Sequence, residues 1–242
     1  MKLNLIETHV PWPTPGTLVT RLHYADRSPV RRVATGRRHF VTGSYLSIKN
    51  GFGVAWESKM ELLAFHHAEV ATEVVNYYPQ PHTWVVQTGD EQFRYTPDLA
   101  LHLADGRIEI VEVKSEYDDL DDPDYTAKLR FAAQLCRQAG WSFRLVTRSE
   151  LEAPPLRDAV DTIQAARRTS VTSADVAMIS ELCMRTRDVA LDALLAAYDD
   201  PKAGLKKACA LVVRRIIEID LTVGLNGRAR VKLVEHGGMA HG

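Results

Sequence analysis

The hydrophobic positions in the first two thirds of the chain follow the period of a helix in some segments and that of a strand in others. Between Trp56 and about Val75, apolar residues recur at helical spacing, and the prolines of Tyr78–Pro81 would end that helix. Strand-like runs follow at 82–87, 92–103 and 107–114, separated by turns at Gly89-Asp90 and Asp105-Gly106. An amphipathic helix at 125–139 and a buried strand at 141–147 complete an α/β unit, a mixed sheet flanked by helices.

The two ends of the chain have different patterns. Residues 1–50 are rich in Pro, Gly and Arg and predict an extended arm with short strands. Beyond Pro154-Pro155 four helical segments, at about 156–168, 173–185, 187–198 and 203–215, precede a predicted hairpin around Leu225-Asn226-Gly227. Short helices followed by a hairpin are typical of a winged helix, and a helical cap is the alternative. We therefore expect the arm and the α/β domain at 1–152 and a small winged-helix-like domain at 153–242.

Composition excludes several classes of protein. The 242 residues are 45% hydrophobic and 25% charged with a net charge of -1, which is ordinary for a globular protein and unlike a basic DNA-coating protein. The three cysteines lie far apart and predict neither a zinc site nor a disulfide framework. No apolar run approaches the roughly 20 residues of a membrane span, and the N-terminus has no signal-peptide pattern. These features predict a cytoplasmic protein.

Local charge changes this picture. The segment from Arg21 to Lys49 is strongly basic, whereas the segment from Glu116 to Asp124 is acidic. A basic arm beside an acidic site suits an enzyme that binds DNA phosphates in one place and cations in another, although a solvated basic face is the commoner explanation of such a run. The predicted phosphate contacts are Arg31, Arg32, Arg37, Arg38 and Lys49.

One group of residues carries the chemistry. Asp98 ends the run Tyr95-Thr96-Pro97-Asp98, and Glu112-Val113-Lys114 follows after 13 residues. Because side chains alternate along a strand, Glu112 and Lys114 share a face. Carboxylates are hard ligands suited to Mg²⁺ or Mn²⁺, as one ion or two, and a lysine can stabilise charge on a phosphate or position the attacking water. Glu61, on the preceding predicted helix, adds a third carboxylate.

These motifs resemble the TnsA family, the endonuclease subunits of heteromeric cut-and-paste transposases. The resemblance covers about residues 28–150, through the runs Thr42–Lys49, Val54–Glu61, Gln80-Pro81, Tyr95–Asp98 and Glu112–Lys114. It implies a nuclease of the PD-(D/E)xK type with a restriction-endonuclease-like fold, followed by a winged-helix domain. The family's helix glutamate falls on Glu61, its aspartate on Asp98 and its lysine on Lys114, while some members have Gln where this chain has Glu112.

The resemblance also implies a function and partners. The expected reaction is the Mg²⁺-dependent cleavage of the non-transferred DNA strand at transposon 5′ ends. A TnsB-like DDE transposase would cut and join the 3′ ends, and a TnsC-like AAA+ regulator would contact the C-terminal part. Three alternatives remain open. Glu57, one helical turn before Glu61, competes for the helix position. The chain could be a stand-alone phage or restriction-type nuclease, or a catalytically silent DNA-binding assembly subunit.

The geometry of the hairpin raises a difficulty. A two-residue turn at Asp105-Gly106 would pair Asp98 with Val113, which puts Asp98 on the opposite face from Glu112 and Lys114. We therefore expect one extra residue, either in a three-residue loop at Ala104–Gly106 or in a break or bulge between Tyr95 and Ala100. Pro97 cannot donate a hydrogen bond to a neighbouring strand, which favours distortion at Pro97-Asp98.

Overall fold

A computed structural model describes residues 4–31, 41–115, 121–186 and 189–235 of the chain. The chain divides into two compact units. The first contains Met1–Leu46, Gly53–Leu62 and Asn76–Arg148, and the second contains Ser47–Phe52, Leu63–Val75 and Ser149–Gly242. This division differs from the expected domain boundary between 152 and 153, chiefly because two internal segments belong to the second unit. Long-range hydrogen bonds hold one of them there, since Gln164 donates to the His66 carbonyl and Arg215 to the Thr72 carbonyl.

The strands of the described residues are β1 (Leu5–Val10), β2 (Thr17–Tyr24), β3 (Gly43–Leu46), β4 (Gly53–Trp56), β5 (Val74–Pro79), β6 (Thr83–Thr88), β7 (Glu91–Tyr95), β8 (Leu99–Leu103), β9 (Ile108–Lys114), β10 (Ser142–Thr147), β11 (Val189–Ala190), β12 (Ile217–Ile219) and β13 (Arg230–Leu233). The helices are α1 (Lys59–Val70), α2 (Pro123–Gln138), α3 (Arg148–Leu151), α4 (Leu156–Ala166), α5 (Ser173–Arg185), α6 (Leu191–Leu195) and α7 (Pro201–Val213).

The first unit contains a sheet in which the N-terminal arm supplies two of the four strands, in the order β1-β2-β6-β7. All its pairs are antiparallel. Its buried side chains pack with one face of α2, which presents Leu129, Ala132 and Leu135 at helical spacing. Asp122 caps this helix with its carboxylate and Pro123 occupies the first turn, where a missing N–H has no cost. The predicted helix over 125–139 is thus confirmed to within two residues.

A second sheet of the order β10-β9-β8-β5 carries the chemical motifs, with β10 parallel and β8 antiparallel to β9. Two predictions for this region are wrong. The run 92–103 is two strands in different sheets, β7 and β8, because the chain leaves the first sheet at Thr96–Asp98. The helix predicted to reach Val75 ends at Val70, and the β-branched and aromatic residues that follow form β5.

The second unit has its own core, built from α4, α5, α7 and a three-stranded sheet of the order β11-β13-β12. Helix α5 begins with a reciprocal capping box between Thr172 and Asp175. The segment predicted as a helix over 187–198 instead contains the short strand β11 followed by the five-residue helix α6. The predicted final hairpin is present as β12 and β13.

None of the helices in the described ranges is long and apolar enough to cross a membrane.

Candidate active site

The hairpin between β8 and β9 determines where Asp98 lies. Leu99 is paired with Val111 and His102 with Ile108, so the loop contains three residues, Ala104–Gly106. Leu103 donates to the Arg107 carbonyl at 2.9 Å, and Gly106 adopts a φ of +84°, where a side chain would be strained. Extended by one step, this register places Asp98 opposite Glu112. The expectation of one extra residue is confirmed.

The break between β7 and β8 is also present, and Pro97 explains it. The regular ladder would next pair Pro97 with Val113, but proline has no N–H to donate. The Asp98 carboxylate instead accepts a hydrogen bond from the Val113 backbone N–H at 2.8 Å. The distortion favoured at Pro97-Asp98 is therefore real, although the loop at Ala104–Gly106 sets the register.

Glu112 is buried and held by three donors. The Tyr95 and Tyr125 hydroxyls donate to its two carboxylate oxygens, each at 2.7 Å. The Lys114 ammonium lies 3.3 Å from one of these oxygens and 4.5 Å from the centre of the Tyr125 ring. Tyr95 comes from β7 and Tyr125 from the first turn of α2. Burial and the adjacent Glu112 charge raise the pKa of the Tyr95 hydroxyl well above its usual value, so Tyr95 stays a donor.

Asp98 is strongly perturbed by its surroundings. Burial, followed by the negative charge of Glu112, raises the pKa of Asp98 to about 7, and Glu61 adds to the rise. The Val113 N–H and the Lys114 charge act in the opposite direction. Two enclosed carboxylates that repel each other are arranged as a cation site requires, because a bound cation would remove the repulsion.

Glu61 and Glu57 have different surroundings. Ser58 accepts from the Glu61 N–H at 3.1 Å, and the Glu61 carboxylate accepts from the Glu57 N–H at 2.8 Å, so Ser-x-x-Glu acts as a cap at the start of α1. Burial raises the pKa of Glu61. The Glu57 carboxylate is bound by Arg31 and by Gln80, each at 2.9 Å. Glu61 is the one whose charge acts on Asp98.

A cavity of about 650 Å³ opens at these residues within the first unit. Asp98, Glu112, Lys114 and Tyr125 line it together with three further cations, Arg31, Arg94 and Lys128. A cavity that combines two carboxylates with four basic side chains suits a polyanion that is held close to a metal ion.

The donor set fits a magnesium or manganese ion through Asp98 and Glu112. Mg²⁺ commonly takes one or two protein carboxylates and completes its six ligands with water and substrate phosphate. Among the described residues, no three His, Cys, Asp or Glu side chains are close enough together to hold an ion. Glu61 therefore does not form a three-carboxylate cluster with the pair, and a bound ion would have to draw the remaining ligands from solvent or DNA.

Of the five predicted DNA contacts, the structure describes two, and only one of these lines the cavity. Arg31 lines the cavity while it is paired with Glu57. Lys49 lies in the second unit, where its ammonium donates to the carbonyls of Ala68, Ala71 and Val74. An ammonium has three protons, so these bonds leave none for a phosphate. The other three predicted contacts, Arg32, Arg37 and Arg38, lie outside the described residues.

Sequence reasoning missed several residues of this site. Arg94 and Lys128 in the cavity, and the tyrosines that hold Glu112, come from elements that only the tertiary fold brings together. A signal existed for Tyr95 alone, because it belongs to the run Tyr95–Asp98. Gln80, from the run Gln80-Pro81, also supports this region: its side chain donates to the Glu57 carboxylate and its backbone N–H donates to the Asp98 carbonyl.

Comparison with known proteins gives one family. Residues 71–148 match the family described as TnsA-like endonuclease N terminal. The match contains Asp98, Glu112 and Lys114 but not Glu61, and it is narrower than the 28–150 over which the motifs are similar. A search of curated proteins finds no match to the chain. The predicted resemblance to the TnsA-like endonucleases is confirmed by this match over residues 71–148.

Proposed function

We propose that the chain is a metal-dependent DNA endonuclease of transposition, which cleaves the non-transferred strand at transposon 5′ ends. The observation that carries the proposal is the enclosed pair of Asp98 and Glu112 beside Lys114, in a cavity that also exposes Arg31, Arg94 and Lys128. The family match supports an endonuclease role in transposition.

Each residue has a distinct part in the proposed reaction. Asp98 and Glu112 would hold Mg²⁺ or Mn²⁺, and Glu61 would bind a water or a second ion beside Asp98. The metal would supply Lewis-acid activation of the phosphate and of a bound water. Lys114 lies next to Glu112 and would stabilise the negative charge that develops on the phosphate oxygens. The three other cations would position the DNA backbone.

The second unit supports a winged-helix assignment. We propose a winged helix here because its element order from α5 to β13 (helix, strand, two helices, two strands) and its sheet order β11-β13-β12 are those expected of that fold. In this proposal the unit helps to bind transposon-end DNA, and a TnsC-like AAA+ regulator contacts it. A TnsB-like DDE transposase would make the 3′ cuts. The first unit fits a restriction-endonuclease-like core, since the motifs lie on a mixed sheet flanked by helices.

The test compares Asp98→Asn, Glu112→Gln and Lys114→Ala with the wild type on duplex DNA that carries the sequences flanking the gene. We expect each variant to lose at least 100-fold in cleavage rate while it keeps its DNA affinity, because these groups act on the transition state. Asp105→Asn, in the exposed hairpin loop, is the matched control. Unchanged cleavage by Asp98→Asn would overturn the proposal. EDTA should stop the reaction, and Mg²⁺ or Mn²⁺ should restore it.

The same assay separates the two alternatives. A stand-alone nuclease would cut without a DDE transposase and would cut DNA that lacks transposon ends. A silent assembly subunit would bind DNA but cut under neither condition. Mapping the cut to the 5′ end of the element, and only in the presence of the transposase, would favour the transposition role over both.

A further inference from the structure

A second cavity, of about 160 Å³, lies between the two four-stranded sheets of the first unit. One wall carries Arg21 and His23 from β2 and His82 from just before β6, and the other carries His102 from β8. Arg27, from the turn after β2, also lines it. We call this cavity the arginine–histidine pocket. A water molecule takes up about 30 Å³, so the pocket has room for roughly five waters or for one phosphate group.

The chemistry of the lining indicates an anion. Two arginines and three histidines face the pocket, and its lining contains no carboxylate. Within the described part of the chain, Arg21 Nε, His23 Nδ1 and His82 Nε2 are buried without a hydrogen-bond partner. His82 is only 3% exposed. A buried polar atom without a hydrogen-bond partner is costly. An anion bound in the pocket would accept hydrogen bonds from cationic or N–H donors of this lining.

The arginines are held in place by aromatic rings. The Arg21 guanidinium lies 5.0 Å from the centre of the Trp141 ring, and that of Arg27 lies 5.1 Å from the centre of the Tyr78 ring. Arg27 also donates to the Tyr78 hydroxyl at 3.0 Å, from a backbone with a φ of +59° that few residues other than glycine adopt. A strained backbone and stacked guanidiniums indicate a site that is formed before its ligand arrives.

The pKa values of the pocket histidines are lowered by burial and by the neighbouring cations. Burial, and then Arg21, lower the pKa of His82 to about 3, while burial and Arg27 lower that of His102. His23 is shifted in the same direction. Each ring is therefore neutral at pH 7. An anion would oppose these shifts and would make the pocket more basic.

The pocket adjoins the candidate active site along the same two strands. The β8–β9 register, extended by one step, places Asp98 opposite Glu112, and the next pair on that face is Ala100 with Ile110, both of which line the pocket. Two residues along a strand span about 7 Å, which is close to the separation of consecutive phosphates in a nucleic-acid strand. Tyr24 lines both cavities.

We propose that the arginine–histidine pocket binds a phosphate group of the DNA strand that is cut, one or two nucleotides from the cleaved bond. This inference rests on the proposed nuclease function and adds a phosphate subsite to it. The pocket is too small for a duplex, so the bound phosphate would have to come from a strand drawn away from its partner, or from its end. A metal ion is disfavoured there because two guanidiniums would repel it.

The test uses the full chain with Asp98→Asn, which separates binding from cleavage. Duplexes carry one uncharged methylphosphonate at each of three positions on either side of the cleaved bond. We expect the methylphosphonate at one position within two nucleotides of that bond to weaken DNA binding about tenfold, as the loss of a charge-assisted contact does. Arg27→Gln should weaken binding similarly, become insensitive to that same methylphosphonate, and lower the salt slope by about one. Arg21→Gln should behave like Arg27→Gln.

The control is Arg107→Gln, an exposed arginine of the hairpin loop that lines neither cavity. The proposal is overturned if Arg27→Gln and Arg21→Gln bind all the duplexes as their parent Asp98→Asn does. It is also overturned if Arg27→Gln is as sensitive to the methylphosphonate as that parent. Titration with inorganic phosphate, followed through the histidine ring NMR signals, tests the other source. If phosphate raises the pKa of His23 and His102 while no methylphosphonate matters, the pocket takes a small free phosphate and the DNA assignment fails.

These failures differ from failure of the proposed nuclease. If the pocket variants bind normally while Asp98→Asn abolishes cleavage, the nuclease function stands without this subsite. If Asp98→Asn cuts normally, the nuclease function itself fails, whatever the pocket binds.

Discussion

At the scale of single residues, the two carboxylates of the site repel each other, and this repulsion destabilises the folded protein. Asp98 and Glu112 are enclosed and close enough for the charge of one to raise the pKa of the other. Hydrogen bonds from the Val113 N–H and from two tyrosines offset part of this cost. Without a cation the remaining repulsion lowers the free energy of unfolding, and this can be measured.

The raised pKa of Asp98, about 7 against an ordinary value near 3.9, gives a pH dependence with a definite sign. The folded protein binds this proton more readily than the unfolded chain, so Asp98 favours folding at low pH. That contribution is lost as pH rises from about 4 to 7. In EDTA we therefore expect Asp98→Asn to be more stable than the wild type by about 3 kcal/mol at pH 8 and nearly equal at pH 4.5.

Urea unfolding at the two pH values provides the measurement. Added Mg²⁺ should stabilise the wild type more than Asp98→Asn, because the ion binds the folded carboxylates. A stability difference that does not vary with pH would show that Asp98 titrates normally.

The tyrosine hydroxyls that hold Glu112 should matter for metal affinity. We expect Tyr125→Phe and Tyr95→Phe to raise the Mg²⁺ concentration for half-maximal cleavage by about 10-fold, since residues that orient a ligand commonly contribute 10- to 100-fold. The internal control is a double-mutant cycle with Glu112→Gln. If the tyrosines act through Glu112, their substitution should have little further effect on Mg²⁺ binding in that background. An equal effect in both backgrounds would assign them another role.

At the scale of the element, helix α1 ends with its carbonyls bound by a lysine from elsewhere in the chain. The last carbonyls of a helix lack hydrogen-bond partners within the helix, and a cation there also interacts favourably with the helix dipole. The Lys49 ammonium donates to the carbonyls of Ala68 and Ala71, and then to that of Val74 at the start of β5. Lys49 thus fixes the transition from helix to strand.

Lys49→Met should lower the free energy of unfolding by about 2–3 kcal/mol, because it leaves three carbonyls and the nearby Glu69 without their cation. It should leave DNA affinity unchanged at a temperature where the variant is folded. Lys59→Met, in the first turn of the same helix, is the control and should change stability little. Weaker DNA binding by Lys49→Met with unchanged stability would restore the original prediction of a phosphate contact.

Comparison of sequence and structure at this scale shows what local pattern can predict. The face shared by Glu112 and Lys114 follows from the strand period, and the break at Pro97 follows from a missing N–H. The end of α1 could not be predicted from local pattern, because the apolar positions continue through Val74 into β5 without a proline or glycine to mark the change. The contacts of Tyr125 with Glu112 could not be predicted, since they depend on how α2 packs.

At the scale of the whole molecule, we expect the first unit to cleave DNA and the second unit to contribute to DNA binding. In the second unit, Lys202 and Lys206 are exposed in the first half of α7, and Arg228 is exposed in the turn before β13. The second half of α7 is buried. If this unit is a winged helix, those three cations are exposed where they could contact DNA phosphates.

Replacement of Lys202, Lys206 and Arg228 by Ala should therefore weaken DNA binding about 10-fold or more and reduce its salt slope, while single-turnover cleavage at saturating DNA keeps its rate. Arg185→Ala, an exposed arginine at the end of α5, is the matched control for loss of charge. Unchanged DNA affinity in the triple variant would favour the helical-cap interpretation of this unit. Asp98→Asn should differ from the triple variant, because it should keep DNA binding and lose cleavage.

The three-residue loop between β8 and β9 has a consequence for the divergence of related sequences. Ala104–Gly106 is exposed and lies several ladder steps from Asp98, a place where insertions and deletions ordinarily accumulate. Here a change of one residue in loop length would move Asp98 to the other face of the sheet, whereas a change of two would return it. Among active relatives with this hairpin, the loop should vary in residue type except for a preference for glycine at the position of Gly106. Its length should change by even numbers, unless a compensating bulge accompanies an odd change.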